Sequence, residues 1–276
     1  MIGPLPRLHA VTDDRVVAQG RVVERAAEMA SVGGAGLAVH LRARGLAGSA
    51  HLLLAERLGA ALSAHGSWLV VNDRVDVARA AGARAVALGH AGLSVRDARR
   101  VAPGIPVARS VHEAAAARAA EAEGADFLIA GAIYATASHP GRRAVGPALV
   151  EAAAAGGLPV IAIGGLTPGN ATSALEAGAW GVAAIRALWD APDPAGAVRA
   201  FLAVLPGTTT VAVAVNGESR TVAEGTTLAG LLEQLGLDPR AVVVEHNRHI
   251  VRRDGLAQVT LAGDDVVELV HFVGGG

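Results

Sequence analysis

The chemistry-bearing residues of this 276-residue chain fall in two places. The first is a series of polar clusters, each closing an apolar run. They are Thr12-Asp13-Asp14, His40-Leu41-Arg42, Asn72-Asp73, Gly89-His90, Arg109-Ser110-Val111-His112, Tyr134 to His139, Gly164-Gly165 and Ala184-Ile185-Arg186. Histidine, titrating close to neutrality, can take a proton and return it. The guanidinium of Arg42 offers a fork that fits a substrate carboxylate, unless a rim carboxylate occupies it. Gly164-Gly165 and Ala184-Ile185 each turn out of an apolar run into a helix. Backbone N–H groups of Gly164, Gly165, Ala184 and Ile185 can bind a phosphate there, or the turns serve packing alone. The second place is the end of the chain, Phe272-Val273-Gly274-Gly275-Gly276. Three glycines do not pack into a core. They form a slender tail that can present the Gly276 carboxylate inside another protein's active site, or simply a frayed terminus.

Positioning the first set requires an alternation of strands and helices. Apolar runs at Leu8–Thr12, Leu37–Leu41, Trp68–Asn72, Ala85–Leu88, Val107–Val111, Phe127–Ile133, Val160–Ile163 and Val182–Ile185 read as strands. Alanine-rich helical patterns lie between them, among them Arg15–Ala30, Glu113–Glu123 and Pro168–Ala177. Continuous apolar strands with intervening helices mark a parallel sheet covered on both faces. Eight units in about two hundred residues predict a (β/α)8 TIM barrel over residues 1–205, with a doubly wound open sheet as the alternative. In both folds the chemistry sits at the C-terminal strand ends, where the polar clusters lie.

Pro206-Gly207-Thr208-Thr209-Thr210 reads as a linker over residues 206–210. Beyond it, residues 211–276 predict a small α+β domain. Val211–Val215 and Ser219–Ala223 form a hairpin across Asn216-Gly217. Thr226 or Thr227 caps a helix carrying Leu228, Leu231, Leu232 and Leu235, and Gly236 ends it. Val242–Val244 and Val266–Val273 are further strands, the last preceded by an Asp264-Asp265 turn.

Composition excludes several chemistries. The chain has no cysteine, hence no disulfide, thiolate ligand or thiol nucleophile, and all 24 of its basic residues are arginine. Without lysine there is no Schiff base and no P-loop lysine. Residues 210–276 carry five arginines against nine acidic residues, and the remainder nineteen against sixteen. An acidic small domain suits docking on basic enzyme surfaces. No basic face or aromatic platform points to nucleic acid. No apolar stretch is long enough to span a membrane, and the N-terminus has no secretory pattern, so a cytoplasmic protein is expected.

Two resemblances follow from these segments. "VNGESRTVAEGTTLAGLLEQLGL", "VVVEHNRHIV" and "GDDVVELVHFVGGG" resemble the thiamin-biosynthesis sulfur carriers, over about residues 209–276. The resemblance implies a β-grasp (ubiquitin-like) fold. It also implies that the Gly276 carboxylate is adenylated and made a thiocarboxylate, with a carrier-activating enzyme and a thiazole synthase as partners. "HAVTDD", "VNDRVDVARAAGARAVALG", "ARSVHEAAAA", "GADFLIAGAIYATASHPG" and "VIAIGGLTPGN" resemble the thiamin phosphate synthase superfamily, over residues 1–205. That superfamily holds the synthase, which joins a pyrimidine diphosphate to a thiazole phosphate with magnesium. It also holds a thiazole tautomerase, which aromatises the first product of thiazole assembly.

Residue-level comparison separates the branches. The synthase pattern Gln-Leu-Arg-x-Lys is here His40-Leu41-Arg42-Ala43-Arg44, and Thr-x-Thr-Lys is Thr136-Ala137-Ser138-His139. Asp73 matches one magnesium carboxylate, but Gly89-His90-Ala91-Gly92 lacks the second. Arg109-Ser110-Val111-His112 matches the tautomerase, which implies His112 as the catalytic histidine. His40, Ser110 and Asn72 are expected to orient the ring, and Asp73 is either a retained ancestral site or a partner for Arg74 or Arg42. The expectation is a thiazole tautomerase, an isomerase needing no cofactor, fused to a sulfur carrier. The alternatives are a thiamin phosphate synthase, which would need magnesium, and an inactive barrel serving as scaffold.

Overall fold

The computed structural model describes residues 4–136, 144–206, 210–223 and 226–271. Ser138, His139, the linker residues 207–209, the strand end Phe272-Val273 and Gly276 lie outside them. Eight parallel strands close into a barrel in chain order: β1 (Leu8–Val11), β2 (Leu37–Leu41), β3 (Trp68–Asn72), β4 (Ala85–Leu88), β5 (Val107–Val111), β6 (Phe127–Gly131), β7 (Val160–Ile163) and β8 (Gly181–Ala184). β8 returns to β1 with Leu8 opposite Val182. The open-sheet alternative is thereby set aside.

Five strands match the apolar runs residue for residue, two end earlier, and β8 is shifted by one residue at both ends. The helix expected over Arg15–Ala30 is two helices, Asp14–Ala18 and Val22–Gly33. The break falls at Gly20, whose φ of 73° no helix accommodates. Asp13 caps the first helix, its Oδ1 accepting from Val16 N–H at 2.8 Å.

Two apolar layers hold the barrel. Outward strand residues such as Leu37, Val39 and Leu41 pack on helix residues such as Met29, Leu58 and Leu62. Inside, Trp68 and Phe127 stand at the N-terminal ends of β3 and β6, beside Ala38 and Ala108, and Ala85, Ala87 and Ala183 also face the lumen. Alanines cannot fill a barrel lumen, so space remains toward the C-terminal mouth.

The second domain is a five-stranded mixed sheet ordered β10-β9-β13-β11-β12, with a helix at Leu228–Gln234. Its strands are β9 (Thr210–Val215), β10 (Glu218–Ala223), β11 (Val242–His246), β12 (His249–Val251) and β13 (Val266–His271). Asn216 and Gly217 both take positive φ in the hairpin, and Thr227 caps the helix by accepting from Gly230 N–H at 3.2 Å. Leu228, Leu231 and Leu232 pack on Val213, Val244 and Val267 in a separate core.

Edge strand β10 lies against the N-terminal rim of the barrel, the end opposite its mouth. Arg220 Nη1 donates to Ala64 O at 2.8 Å, just ahead of β3. Thr221 Oγ1 donates to Ser31 O at 3.4 Å. Gly34, ahead of β2, takes a φ of 47°, and a Cβ there would stand 2.7 Å from Thr221 O. β13 runs parallel to β9 from Ala214 onward, so His271 lies several residues beyond the level of the Thr221–Ala212 pair. Five further residues span at most ~18 Å.

Candidate active site

A cavity of about 900 Å³ opens at the C-terminal mouth of the barrel. All nine barrel residues singled out from sequence border it: His112, Arg42, His40, Asn72, Ser110, Gly164, Gly165, Ala184 and Ile185. Strand parity explains the gathering. Alternate residues face the lumen, so His40 shares an inward face with Ala38, Asn72 with Val70, and Ser110 and His112 with Ala108.

His112 follows β5 and lies half-buried. Its Nδ1 is 2.5 Å from Gly131 O on β6. A carbonyl only accepts, so Nδ1 carries the hydrogen. In the neutral ring Nε2 is then the bare nitrogen, and no described residue bonds to it. A ring held by one nitrogen with the other free can act as a proton acceptor and then donor.

Arg42 is fixed through its backbone. Thr12 Oγ1 accepts from Arg42 N–H at 2.9 Å and donates to Arg42 O at 3.1 Å, tying the ends of β1 and β2. Burial and the neighbouring Arg44 lower its pKa from the ordinary value, against the opposing pull of Asp14, Asp73 and Asp13. No ion pair to Arg42 occurs among the described residues, which leaves its fork available to a ligand anion.

Asp73 pairs with neither arginine. Arg74 binds Asp76 at 2.5 Å, two residues along its own helix. Asp73 Oδ1 instead accepts from Gly89 N–H at 2.7 Å, from a backbone with φ of 61°. The magnesium of the synthase branch needs a set of hard oxygen donors. Position 92, where the second carboxylate belongs, is a glycine whose added Cβ would lie 3.0 Å from Asp73 Oδ1. Among the described residues no group of three or more His, Cys, Asp or Glu is placed to hold a metal ion. The residues present do not fit a diphosphate-bound magnesium.

The Gly164-Gly165 and Ala184-Ile185 turns both border the β7–β8 side of the mouth. Gly164 and Gly165 have φ of 110° and 65°. A Cβ would stand 2.7 Å from Ala132 Cα at Gly164 and 2.6 Å from Ala135 O at Gly165. Asn170 braces this turn, its Oδ1 accepting from Thr167 N–H at 2.8 Å and its Nδ2 donating to Gly165 O at 3.0 Å.

His9 is absent from the sequence-derived set. It sits wholly buried on β1, its Nδ1 2.7 Å from His40 Nε2 and its Nε2 2.9 Å from Pro6 O. Its signal was present, since a histidine at an inward position of an apolar strand must find a partner. Burial pushes the His9 pKa down to about 4, against the Pro6 hydrogen bond. His40 is pushed well below its ordinary value by burial and by His9, against a side-chain hydrogen bond with Asn72. Both rings are neutral when folded and protonate more readily when unfolded. The unfolded chain therefore binds more protons below about pH 6.5, and the barrel loses stability as pH falls from there toward 4. His9 alone accounts for about 3 kcal/mol of that loss. Thermal unfolding across this range should show a falling Tm, with a shallower fall in His9→Asn. An equal fall in that variant would remove His9 as a cause.

The chain belongs to the thiamine monophosphate synthase family, whose pattern it matches over residues 8–188; residues 213–276 match the ThiS family. It is 40% identical over 200 residues to a thiamine-phosphate synthase of Methanoculleus marisnigri, covering 70% of this chain and 92% of that protein. It is 44% identical over 167 residues to the thiamine biosynthesis bifunctional protein ThiM/ThiE of Symbiobacterium thermophilum, covering 59% of this chain but only 35% of that protein. A thiamine phosphate pyrophosphorylase from Pyrococcus furiosus superposes with a TM-score of 0.64 at 28% identity, covering 72% of this chain and 94% of that one. The superfamily and the fusion expected from sequence stand. The relatives' names favour the transferase over the isomerase. Among the described residues no helix is long and apolar enough to cross a membrane.

Proposed function

We propose that the barrel is a metal-independent thiazole tautomerase and that the C-terminal domain is the sulfur carrier for assembly of the same ring. The carrying observation is the ring of His112, anchored at Nδ1 on Gly131 O with Nε2 free beside the cavity. In this reading Nε2 takes the proton from C2 of the non-aromatic thiazole and returns it to the exocyclic carbon. One C–H bond breaks and one forms, nothing is oxidised, and aromatisation drives the step. Arg42 holds the substrate carboxylate, and Ser110, His40 and Asn72 border the ring. The phosphate lies on backbone N–H groups of Gly164, Gly165, Ala184 and Ile185. The carrier tail, made a thiocarboxylate by a separate activating enzyme, serves a separate thiazole synthase. Cells placing both modules on one chain keep them at a fixed ratio.

A thiamine-phosphate synthase is the second reading, favoured by the names of relatives at 40–44% identity. The lone Asp73, the glycine at 92 and the absence of lysine weigh against it. Binding separates the two. Thiazole phosphate should bind the full chain by calorimetry with chelator present. Gly165→Ala, strained at φ 65° and driven onto Ala135 O, should weaken that binding roughly tenfold or more. Binding that appears only with magnesium would support the transferase, and binding indifferent to Gly165→Ala would remove the phosphate from the Gly164-Gly165 turn.

A further inference from the structure

Tyr134 is not among the residues bordering the cavity, yet it holds the Gly164-Gly165 turn by two routes. Its N–H donates to Gly164 O at 2.9 Å, and a Cβ on Gly165 would stand 2.7 Å from the Tyr134 Cβ. The second route starts at its hydroxyl. Ser173 Oγ donates to Asn170 O at 3.0 Å, and a carbonyl only accepts, so the one hydroxyl hydrogen of Ser173 lies there. In the bond between Tyr134 Oη and Ser173 Oγ the tyrosine is therefore the donor. Asn170 carries the chain on to the turn, through Gly165 O and Thr167 N–H. Both carbonyls of the turn are thereby tied. In a trans peptide the C=O and the following N–H point to opposite sides of one plane. Tying Gly164 O to Tyr134 sets the direction of Gly165 N–H, and tying Gly165 O to Asn170 sets that of Leu166 N–H. Gly165 and Leu166 both border the cavity, and neither N–H donates to another described residue.

We infer that Tyr134 is a positioning residue that, through Ser173 and Asn170, aims the Gly165 and Leu166 N–H groups at a phosphate, and so gives the cavity its preference for phosphorylated over unphosphorylated ligands. Donors held in place before the anion arrives need no ordering when it binds, and that is what the brace supplies. The tyrosine ring packs against the outer apolar layer of the barrel, so removing the hydroxyl alone leaves that packing in place. The inference rests on the reading that the phosphate lies on this turn, and holds for isomerase and transferase alike.

Calorimetry on the full-length chain, with magnesium supplied, compares thiazole phosphate with the unphosphorylated thiazole alcohol. Tyr134→Phe should bind the phosphate about fivefold more weakly, the scale of one hydrogen bond, and the alcohol as the wild type does. Ser173→Ala should repeat the loss. The double variant should be no worse than either single one, because both remove the same bond. Tyr134 is also the only tyrosine of the chain, so ring-labelled tyrosine gives a single set of NMR signals. These should shift on saturation with thiazole phosphate and stay put with the alcohol. Should one variant fail to fold, the other variant and the wild-type signal still decide. Equal weakening of phosphate and alcohol, an additive double variant, or a tyrosine signal indifferent to phosphate overturns the inference. So does Tyr134→Phe binding like the wild type while Gly165→Ala binds weakly, a result that leaves the phosphate on the turn. If Gly165→Ala also binds like the wild type, the phosphate lies elsewhere, and the reading beneath the inference fails with it.

Discussion

His112→Gln is expected to lower turnover of the non-aromatic thiazole phosphate by ~10²–10⁴, the usual worth of a positioned acid–base group. Glutamine keeps a donor for Gly131 O but has no nitrogen that takes and returns a proton near neutral pH. Affinity for the aromatic product should be largely intact, because the proposed reading puts the phosphate on the Gly164-Gly165 and Ala184-Ile185 turns and the carboxylate on Arg42. The loss should therefore fall on kcat rather than KM. Absorbance of the aromatic product follows the rate, and product calorimetry follows binding. A mutant turning over at close to the wild-type rate would remove His112 from the mechanism. A mutant that also loses product binding would make His112 a contact residue instead.

Removing Gly275-Gly276 should abolish sulfur delivery completely and leave barrel turnover unchanged. In the proposed reading the group adenylated is the Gly276 carboxylate on a slender glycine tail, and the truncation removes that residue and shortens the tail by two. The barrel is indifferent, because β10 docks at its N-terminal rim while the cavity opens at the other end. Intact mass after incubation with activating enzyme, ATP and a sulfur donor should show oxygen-for-sulfur exchange in the full chain and none in the truncated one. A full chain that gains no mass while a separate sulfur carrier does would leave the tail inert. A truncation that slows the barrel would show that the tail acts on its own chain.

The barrel was legible because both faces of each strand are buried, so the strands read as nearly continuous apolar runs. The cavity set was legible because period two carries Ser110 and His112 inward together with Ala108. What escaped has physical causes. His9 looked like one polar residue in an apolar strand until its contact with His40 across a neighbouring strand gave it a role. β12 was missed because three residues, His249 to Val251, form an edge strand too short for alternation to register. Of the two alternatives for Asp73, pairing with an arginine fell because Asp76 takes Arg74 two residues along and Gly89 N–H satisfies Asp73. Docking of the second domain on the rim rests on the backbone carbonyls of Ala64 and Ser31 and on the glycine at 34, none of which has a sequence signature.

Whether this barrel isomerises or condenses is decided by one assay. The full-length chain is given the non-aromatic thiazole carboxylate phosphate with chelator present, and formation of the aromatic product is followed by absorbance. Metal-independent proton transfer predicts a catalysed rate that His112→Gln removes. No acceleration under these conditions, with thiamine phosphate forming once magnesium, pyrimidine diphosphate and thiazole phosphate are supplied, would contradict it and make the barrel a transferase.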